Sequence, residues 1–202
     1  MDEEQPTVYV VDDDAAVRDA LEALLGSVGL PVMSFASAED FLGKAKASMR
    51  GCLLLDVRMP GIGGLELQPK LQERGVRLPV IFVTGHGDVP MAVRVLKAGA
   101  VDFVEKPFNE QQLLDRIQLC LEEDQKACQA RLTREVARRG FSRLTQREMA
   151  VMELIAAGGH SKAIATALDI KERTVDVHRF NIMRKVGVRT LADLMNHWFL
   201  AR

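Results

Sequence analysis

The sequence predicts two domains of different class: a doubly wound α/β domain on a five-stranded parallel sheet, then a separate all-α domain of four helices, joined by a helical linker. Three observations carry this. The 202 residues exceed one average domain of ~100–150 residues. Short apolar runs alternate with amphipathic stretches as far as residue 122, an order that gives a parallel sheet with right-handed crossovers. Beyond that point the strand signal stops. The expected boundaries are 1–122, 123–141 for the linker, and 142–202.

In chain order the expected strands are Thr7–Val11, Val32–Phe35, Cys52–Leu55, Val80–Val83 and Asp102–Val104. Between them lie expected helices at Ala15–Val28, Ala38–Ala47, Leu65–Arg74, Val89–Ala98 and Asn109–Leu121. In the first helix Val17, Leu21, Leu24, Leu25 and Val28 recur at the three-to-four spacing of one face. Apolar runs such as Cys52–Leu55 suit strands covered on both faces. Pro69 falls about a turn inside the third helix, where proline removes a hydrogen bond, so a shifted start or a kink is expected. The last α/β helix is expected to run on into the linker, where Cys128, Leu132 and Val136 keep a four-residue spacing, and Gly140 is its expected stop. Thr145–Glu148 reads as a capping box for a helix to Ala157. Ser161 is expected to cap the next helix, through Leu168. A turn at Asp169–Lys171 leads to Arg173–Val186, and Thr190 caps a last helix through Phe199.

Composition narrows the class. The 48% hydrophobic content supports real cores and excludes a disordered chain. No apolar run approaches the ~18–20 residues of a membrane span. The acidic start (Asp2, Glu3, Glu4) lacks a basic flank and an apolar core, so no signal peptide is expected and the cytoplasm is the expected compartment. Cys52, Cys120 and Cys128 show no metal-ligand spacing and read as buried or neutral thiols. Nor do His86, His160 and His197. The net charge of −1 divides unevenly: −7 over 1–122, +2 over 123–140 and +4 over 141–202. An acidic front with a basic back points to a nucleic-acid-binding tail domain.

The polar chemistry gathers where strands finish. The first strand ends in Asp12, Asp13 and Asp14, the third in Asp56 and the fourth in Thr84, and the fifth leads to Lys106-Pro107. Carboxyl ends of parallel strands share one edge, where such folds bind ligands. Asp12, Asp13, Asp56, Thr84 and Lys106 are therefore expected to converge. Carboxylates crowded at one rim call for a cation, and hard oxygen ligands with room for water suit Mg²⁺ better than zinc. A carboxylate beside Mg²⁺ and a lysine can attack a phosphoryl group and form an aspartyl phosphate. Thr84 adds a hydroxyl donor.

These segments resemble the two-component response regulators. Val10-Val11-Asp12-Asp13-Asp14, Leu54-Leu55-Asp56-Val57-Arg58-Met59-Pro60, Thr84-Gly85 and Glu105-Lys106-Pro107-Phe108 are similar to the receiver motifs in order and spacing, and Thr84–Arg94 resembles the FixJ-like branch. The resemblance implies a flavodoxin-like receiver whose Asp56 takes a phosphoryl group from a sensor histidine kinase. It also implies Mg²⁺ held by Asp12, Asp13, Asp56 and the backbone carbonyl of Arg58. Lys106 and Thr84 would contact the phosphoryl group, with Thr84 coupled to Phe103 as a switch. Dimerisation on phosphorylation is implied through the fourth helix and fifth strand, with Val93, Arg94, Lys97, Val101 and Asp102 as the candidate face.

In the basic half, a helix at Ser161–Leu168, a short turn and a second helix form a helix-turn-helix pattern. Ile164, Leu168, Ile170, Val175, Ile182 and Val186 supply its core, and Arg173, Arg179, Arg184 and Lys185 suit phosphates. Leu144–Glu148, Lys162–Ala165, Arg173-Thr174-Val175, His178-Arg179 and Asn181–Lys185 together resemble the LuxR-type DNA-binding domain. That resemblance implies base contacts from Asp176, Val177, Phe180 and Arg179, with Lys162, Arg173, Thr174, Arg184 and Lys185 also at the DNA. Asp176 can accept from cytosine N4, Val177 or Phe180 can touch a thymine methyl, and Arg179 suits guanine or phosphate. Asp176 also suits a helix N-terminus, a role that needs no DNA. His178 reads as a packing residue. Together the resemblances imply a phosphorylation-controlled transcription regulator, not an enzyme. Its partners would be duplex promoter DNA carrying an inverted repeat and RNA polymerase. Two readings compete: an aspartyl-phosphate hydrolase, although Val57 and not a second Asp follows Asp56, and an RNA-binding antiterminator.

Overall fold

The computed structural model describes residues 5–85, 89–97 and 99–202; His86 and Ala98 lie outside them. The chain divides into two compact units, Met1–Ala127 and Cys128–Arg202. In the first, β1 (Thr7–Val11), β2 (Val32–Phe35), β3 (Gly51–Leu55), β4 (Val80–Thr84) and β5 (Asp102–Glu105) alternate with α1 (Ala15–Ser27), α2 (Ala38–Lys44), α3 (Gly64–Glu73) and α4 (Val89–Lys97). Helix α5 (Glu110–Phe141) follows β5. All pairings are parallel and the strand order is β2-β1-β3-β4-β5. The doubly wound five-stranded sheet is the architecture the alternation demands.

Side chains alternate across the sheet and build two cores. Tyr9, Val11, Leu53, Leu55 and Phe82 pack with Phe41 of α2 and Leu67 and Leu71 of α3. Val8, Val10, Cys52, Leu54, Ile81 and Val83 pack with Leu21 and Leu25 of α1 and Leu113 and Ile117 of α5. Because both faces are covered, β3 and β4 are buried at every position. Phe35 meets Phe41 edge-on at 5.1 Å between centroids. That geometry suits the ring quadrupoles.

One helix boundary needs correction. Helix α2 stops at Lys44, short of Ala47. Helix α3 starts at Gly64, one residue before the expected Leu65, and carries Pro69 as its sixth residue, giving up the amide bond that residue would make to the Leu65 carbonyl. The helical linker is the continuation of α5, which runs uninterrupted to Phe141, one residue past Gly140. On it Cys128 is buried and Leu132 half-buried, but Val136 is 60% exposed, while Ala137 is fully buried. The 3.6-residue repeat has carried the stripe past a strict four-residue spacing.

The second unit holds α6 (Gln146–Ala156), α7 (Ser161–Leu168), α8 (Glu172–Val186) and α9 (Leu191–Ala201). Its core joins Val151, Met152, Ile155, Ile164, Val175, Ile182, Val186 and Leu194. Phe141 and Trp198 close it edge-on at 5.2 Å. The Thr145–Glu148 capping box is present. Thr190 caps α9. Asp169 ends α7 in the left-handed region, φ 54°, a conformation that Asp and Asn tolerate better than most residues.

One buried contact in the first unit escaped sequence reasoning. Arg50, preceding β3, donates from Nε to Oδ2 of Asp124 on α5 at 2.7 Å, with side-chain exposures of 10% and 8%. Removing one partner leaves the other charge buried. Asp124→Leu should therefore lower unfolding stability by ~3 kcal/mol. The double replacement Arg50→Met with Asp124→Leu should recover most of that loss in urea denaturation followed by circular dichroism.

Candidate functional site

The strand ladder continues into the site. The Asp56 amide donates to Val11 O at 2.9 Å and the Lys106 amide to Thr84 O at 2.8 Å. Asp12, Asp56 and Lys106 are thereby set side by side at the carboxyl edge of β1, β3 and β5, with Thr84 buried at the end of β4. Lys106 Nζ lies 2.6 Å from Asp12 Oδ2 and 3.6 Å from Asp56 Oδ1. The Arg58 amide donates to Asp56 Oδ2 at 3.1 Å. Asp12 and Asp56 are only 2% and 7% exposed.

The acidic run after β1 divides by role. Asp12 is buried at the site, and its Oδ1 accepts from the Asp14 amide at 3.0 Å. Asp14 caps α1 by accepting from the Ala16 amide. Asp13 is exposed beside them. Arg18, which sequence reasoning missed, donates from a guanidinium nitrogen to the Asp12 carbonyl at 2.7 Å. Gly64 opens α3 directly against this edge. A Cβ there would lie 2.2 Å from the Asp56 carbonyl oxygen, so no side chain fits without moving the backbone. The Lys106–Pro107 peptide is cis.

Burial pushes the Asp56 carboxyl above its ordinary pKa. Lys106 pulls it down, the Asp12 charge pushes it up again, and the Arg58 amide lowers it. Among the described residues no three His, Cys, Asp or Glu side chains form a ready-made metal cage. The rim is open and lined by oxygen: the buried Asp12 and Asp56 carboxylates share Lys106, and Asp13 stands exposed beside them. Such a rim suits Mg²⁺, which keeps several waters and is usually held by one or two carboxylates plus phosphate oxygens.

Phe103 lies in β5 opposite Phe82 and is half-buried against the core. On the neighbouring surface Val93 is 44% and Val101 37% exposed, with Arg94 and Lys97 also exposed. Asp102 is already paired with Arg116 of α5, so its charge is partly spent within the unit. Leu96, exposed on α4, belongs to the same helix surface and was not foreseen.

In the second unit α8 presents Arg173, Thr174, Asp176, Val177, Phe180 and Arg184 to solvent, and Lys162 is exposed on α7. Val177 and Phe180 are 52% and 65% exposed. Arg184 lies 6.0 Å from the Phe180 centroid. His178 is half-buried, as a packing residue should be. Ser161 does not cap α7. His160 holds that position without a side-chain bond, and the Ser161 hydroxyl turns to Asp176 and Arg179 at 3.0 Å each. Lys185 does not face outward for phosphate; its Nζ donates to the buried Glu148 Oε2 at 2.6 Å.

Two comparisons decide the family. Residues 8–118 match the response regulator receiver domain and residues 142–198 the bacterial regulatory proteins of the luxR family. The chain belongs to the FixJ-like response regulators. This regulator is 44% identical over 188 residues to Nodulation protein W of Bradyrhizobium diazoefficiens, covering 93% of this chain and 83% of that protein. It is 45% identical to the response regulator protein TodT of Pseudomonas putida, covering 96% and 86%. Among solved structures it resembles response regulator StyR, with a TM-score of 0.87 and 47% identity over 96% of this chain and 98% of that one. Full-length FixJ from B. japonicum gives 0.59 at 39% identity, covering 98% and 97%. A receiver joined to a LuxR-type domain makes the regulator a phosphorylation-dependent transcription regulator. Among the described residues no helix is long and apolar enough to cross a membrane.

Two outcomes follow from the geometry. Because its folded pKa is raised, ionised Asp56 costs the fold stability above that pKa, and the cost is relieved as pH falls toward the unfolded value. In metal-free buffer Asp56→Asn should raise the melting midpoint at neutral pH, and the gap should close under acid. Glu148 behaves oppositely. Burial pushes its carboxyl up, but the bonds from Lys185 and from the amide and hydroxyl of Thr145 outweigh burial and hold it below its ordinary value. Its stabilisation is present above the unfolded pKa and is lost as pH falls through the folded one. Lys185→Met should cost ~1–3 kcal/mol at neutral pH, a deficit that vanishes in acid on circular-dichroism melting.

Proposed function

We propose that Asp56 is the phosphoacceptor and that a partner sensor histidine kinase is the donor. An Asp56 oxygen attacks phosphorus, the bond from phosphorus to the donor imidazole breaks, and the imidazole leaves. What supports this is the pairing of a buried strand-end carboxylate with Lys106, 3.6 Å away. The ammonium is poised to neutralise charge on the transferred oxygens. Thr84 contacts the phosphoryl group from the adjacent strand end and passes its state to Phe103. Asp12, Asp13, Asp56 and the Arg58 carbonyl hold Mg²⁺, which when bound supplies further charge neutralisation.

The phosphorylated regulator dimerises through α4 and β5. Val93 and Val101 provide apolar area, with Arg94, Lys97 and Asp102 around them, since exposed ion pairs contribute only ~0–1 kcal/mol each. The dimer binds an inverted repeat in promoter DNA with half-sites about one helical turn apart, ~10 base pairs. Lys162, Arg173, Thr174 and Arg184 lie along the phosphates, while Asp176, Val177, Arg179 and Phe180 enter the major groove. Linking two reading heads makes the second contact intramolecular, for a gain of ~10²–10⁴ in avidity. The cytoplasm is the compartment, and RNA polymerase the machinery acted upon.

With labelled acetyl phosphate and Mg²⁺ the wild type should gain a phosphoryl group and sediment as a larger species. Asp56→Asn should do neither, and chelation should abolish labelling. Undiminished labelling of Asp56→Asn would overturn the assignment.

A further inference from the structure

The hydroxyl of Ser161 sits between two side chains of α8. It donates to Asp176 Oδ1 at 3.0 Å and accepts from an Arg179 guanidinium nitrogen at 3.0 Å. A hydroxyl has one proton to give and lone pairs to receive with, so both bonds form at once. Asp176 and Arg179 are three residues apart on one helix face, near enough to pair directly. Yet among the described residues they form no direct ion pair, and the serine bridges them. Ser161 belongs to α7, so the bridge also ties the start of one helix to the exposed face of the next.

Long charged side chains on a helix surface sample many rotamers, and ordering them costs entropy. Here the cost is met before any ligand arrives. Ser161 and Arg179 are half-buried, whereas Asp176 is exposed. One guanidinium nitrogen is engaged by the serine. The remaining N–H donors of Arg179 and the second oxygen of Asp176 stay available. The result is an acceptor and a donor fork held side by side. A G·C pair offers the complement in the major groove: guanine O6 and N7 accept, and cytosine N4 donates.

We infer that Ser161 is a specificity-positioning residue, which couples Asp176 and Arg179 into a single reader of one G·C base pair in each half-site. The inference rests on the DNA-binding role of α8 proposed above and adds to it a residue on the preceding helix. It also changes what Asp176 does. The carboxylate acts with Arg179, so removing either side chain, or the hydroxyl between them, has the same consequence at the same base pair.

The test is selection by the phosphorylated full-length protein from a pool of randomised duplexes, followed by binding to single-base-pair variants of the selected duplex. The wild type should prefer G·C at one position per half-site by ~5–150-fold, the range expected for one well-made base contact. Ser161→Ala should lose that preference while every other selected position stays the same, and Ser161→Thr, which keeps the hydroxyl, should retain it. Arg184→Ala should weaken all sequences alike and lower the salt dependence. A Ser161→Ala protein that folds and selects the wild-type sequence overturns the inference, as does one weakened uniformly on every duplex. A wild type that selects no duplex at all overturns the DNA-binding reading itself, and this inference with it.

Discussion

Two buried carboxylates, Asp12 and Asp56, share one ammonium at the end of the sheet. Their charges do not balance, and the excess negative charge is the constraint around which the first unit is organised. It explains why Asp12 is further bonded by the Asp14 amide and Asp56 by the Arg58 amide. It also explains why the site is built at strand ends. A parallel sheet fixes these backbone positions through its ladder, so the side chains cannot relax away from one another. A cation or a phosphoryl group held by cations therefore finds a site whose electrostatic cost was met during folding.

The sheet holds that arrangement from both sides. Every position of β3 and β4 is buried, and Gly64 lets α3 begin against the Asp56 carbonyl where any side chain would collide. Arg50 and Asp124 bind the opposite end of β3 to α5. The helical unit uses a smaller version of the same device: Glu148 is buried as part of a cap, and Lys185 from α8 supplies the compensating charge. In both units a carboxylate is taken out of water for a reason, and a lysine from a distant part of the chain makes this tolerable.

Much of this was legible because its signals are local. Strands covered on both faces read as unbroken apolar runs, helix faces as three-to-four spacings, and caps as short motifs. The convergence of Asp12, Asp56 and Lys106 followed from one topological fact about parallel sheets. What the sequence left hidden depends on packing between distant segments. Nothing local distinguishes Lys185, bound to Glu148, from Arg184, which faces solvent one position earlier. Ser161 carries a good capping side chain at a helix start, but Asp176 and Arg179 draw its hydroxyl away. Arg50 and Asp124 lie 74 positions apart, and neither belongs to a motif. Pro69 shows the reverse, a strong local signal outvoted by the burial of Leu67 and Leu71 on either side of it.

The thiols of the first unit carry a last consequence. Cys52 in β3 and Cys120 in α5 are buried in the same core, and the bond to Cys120 together with burial pushes the Cys52 thiol well above its ordinary pKa. A thiol kept protonated and out of solvent is a poor nucleophile toward peroxides and alkylating reagents alike. Any modification of this pair must wait until α5 parts from the sheet. The two cysteines thus act as a clock for that opening, their rate of alkylation counting excursions of the structure and not collisions with reagent.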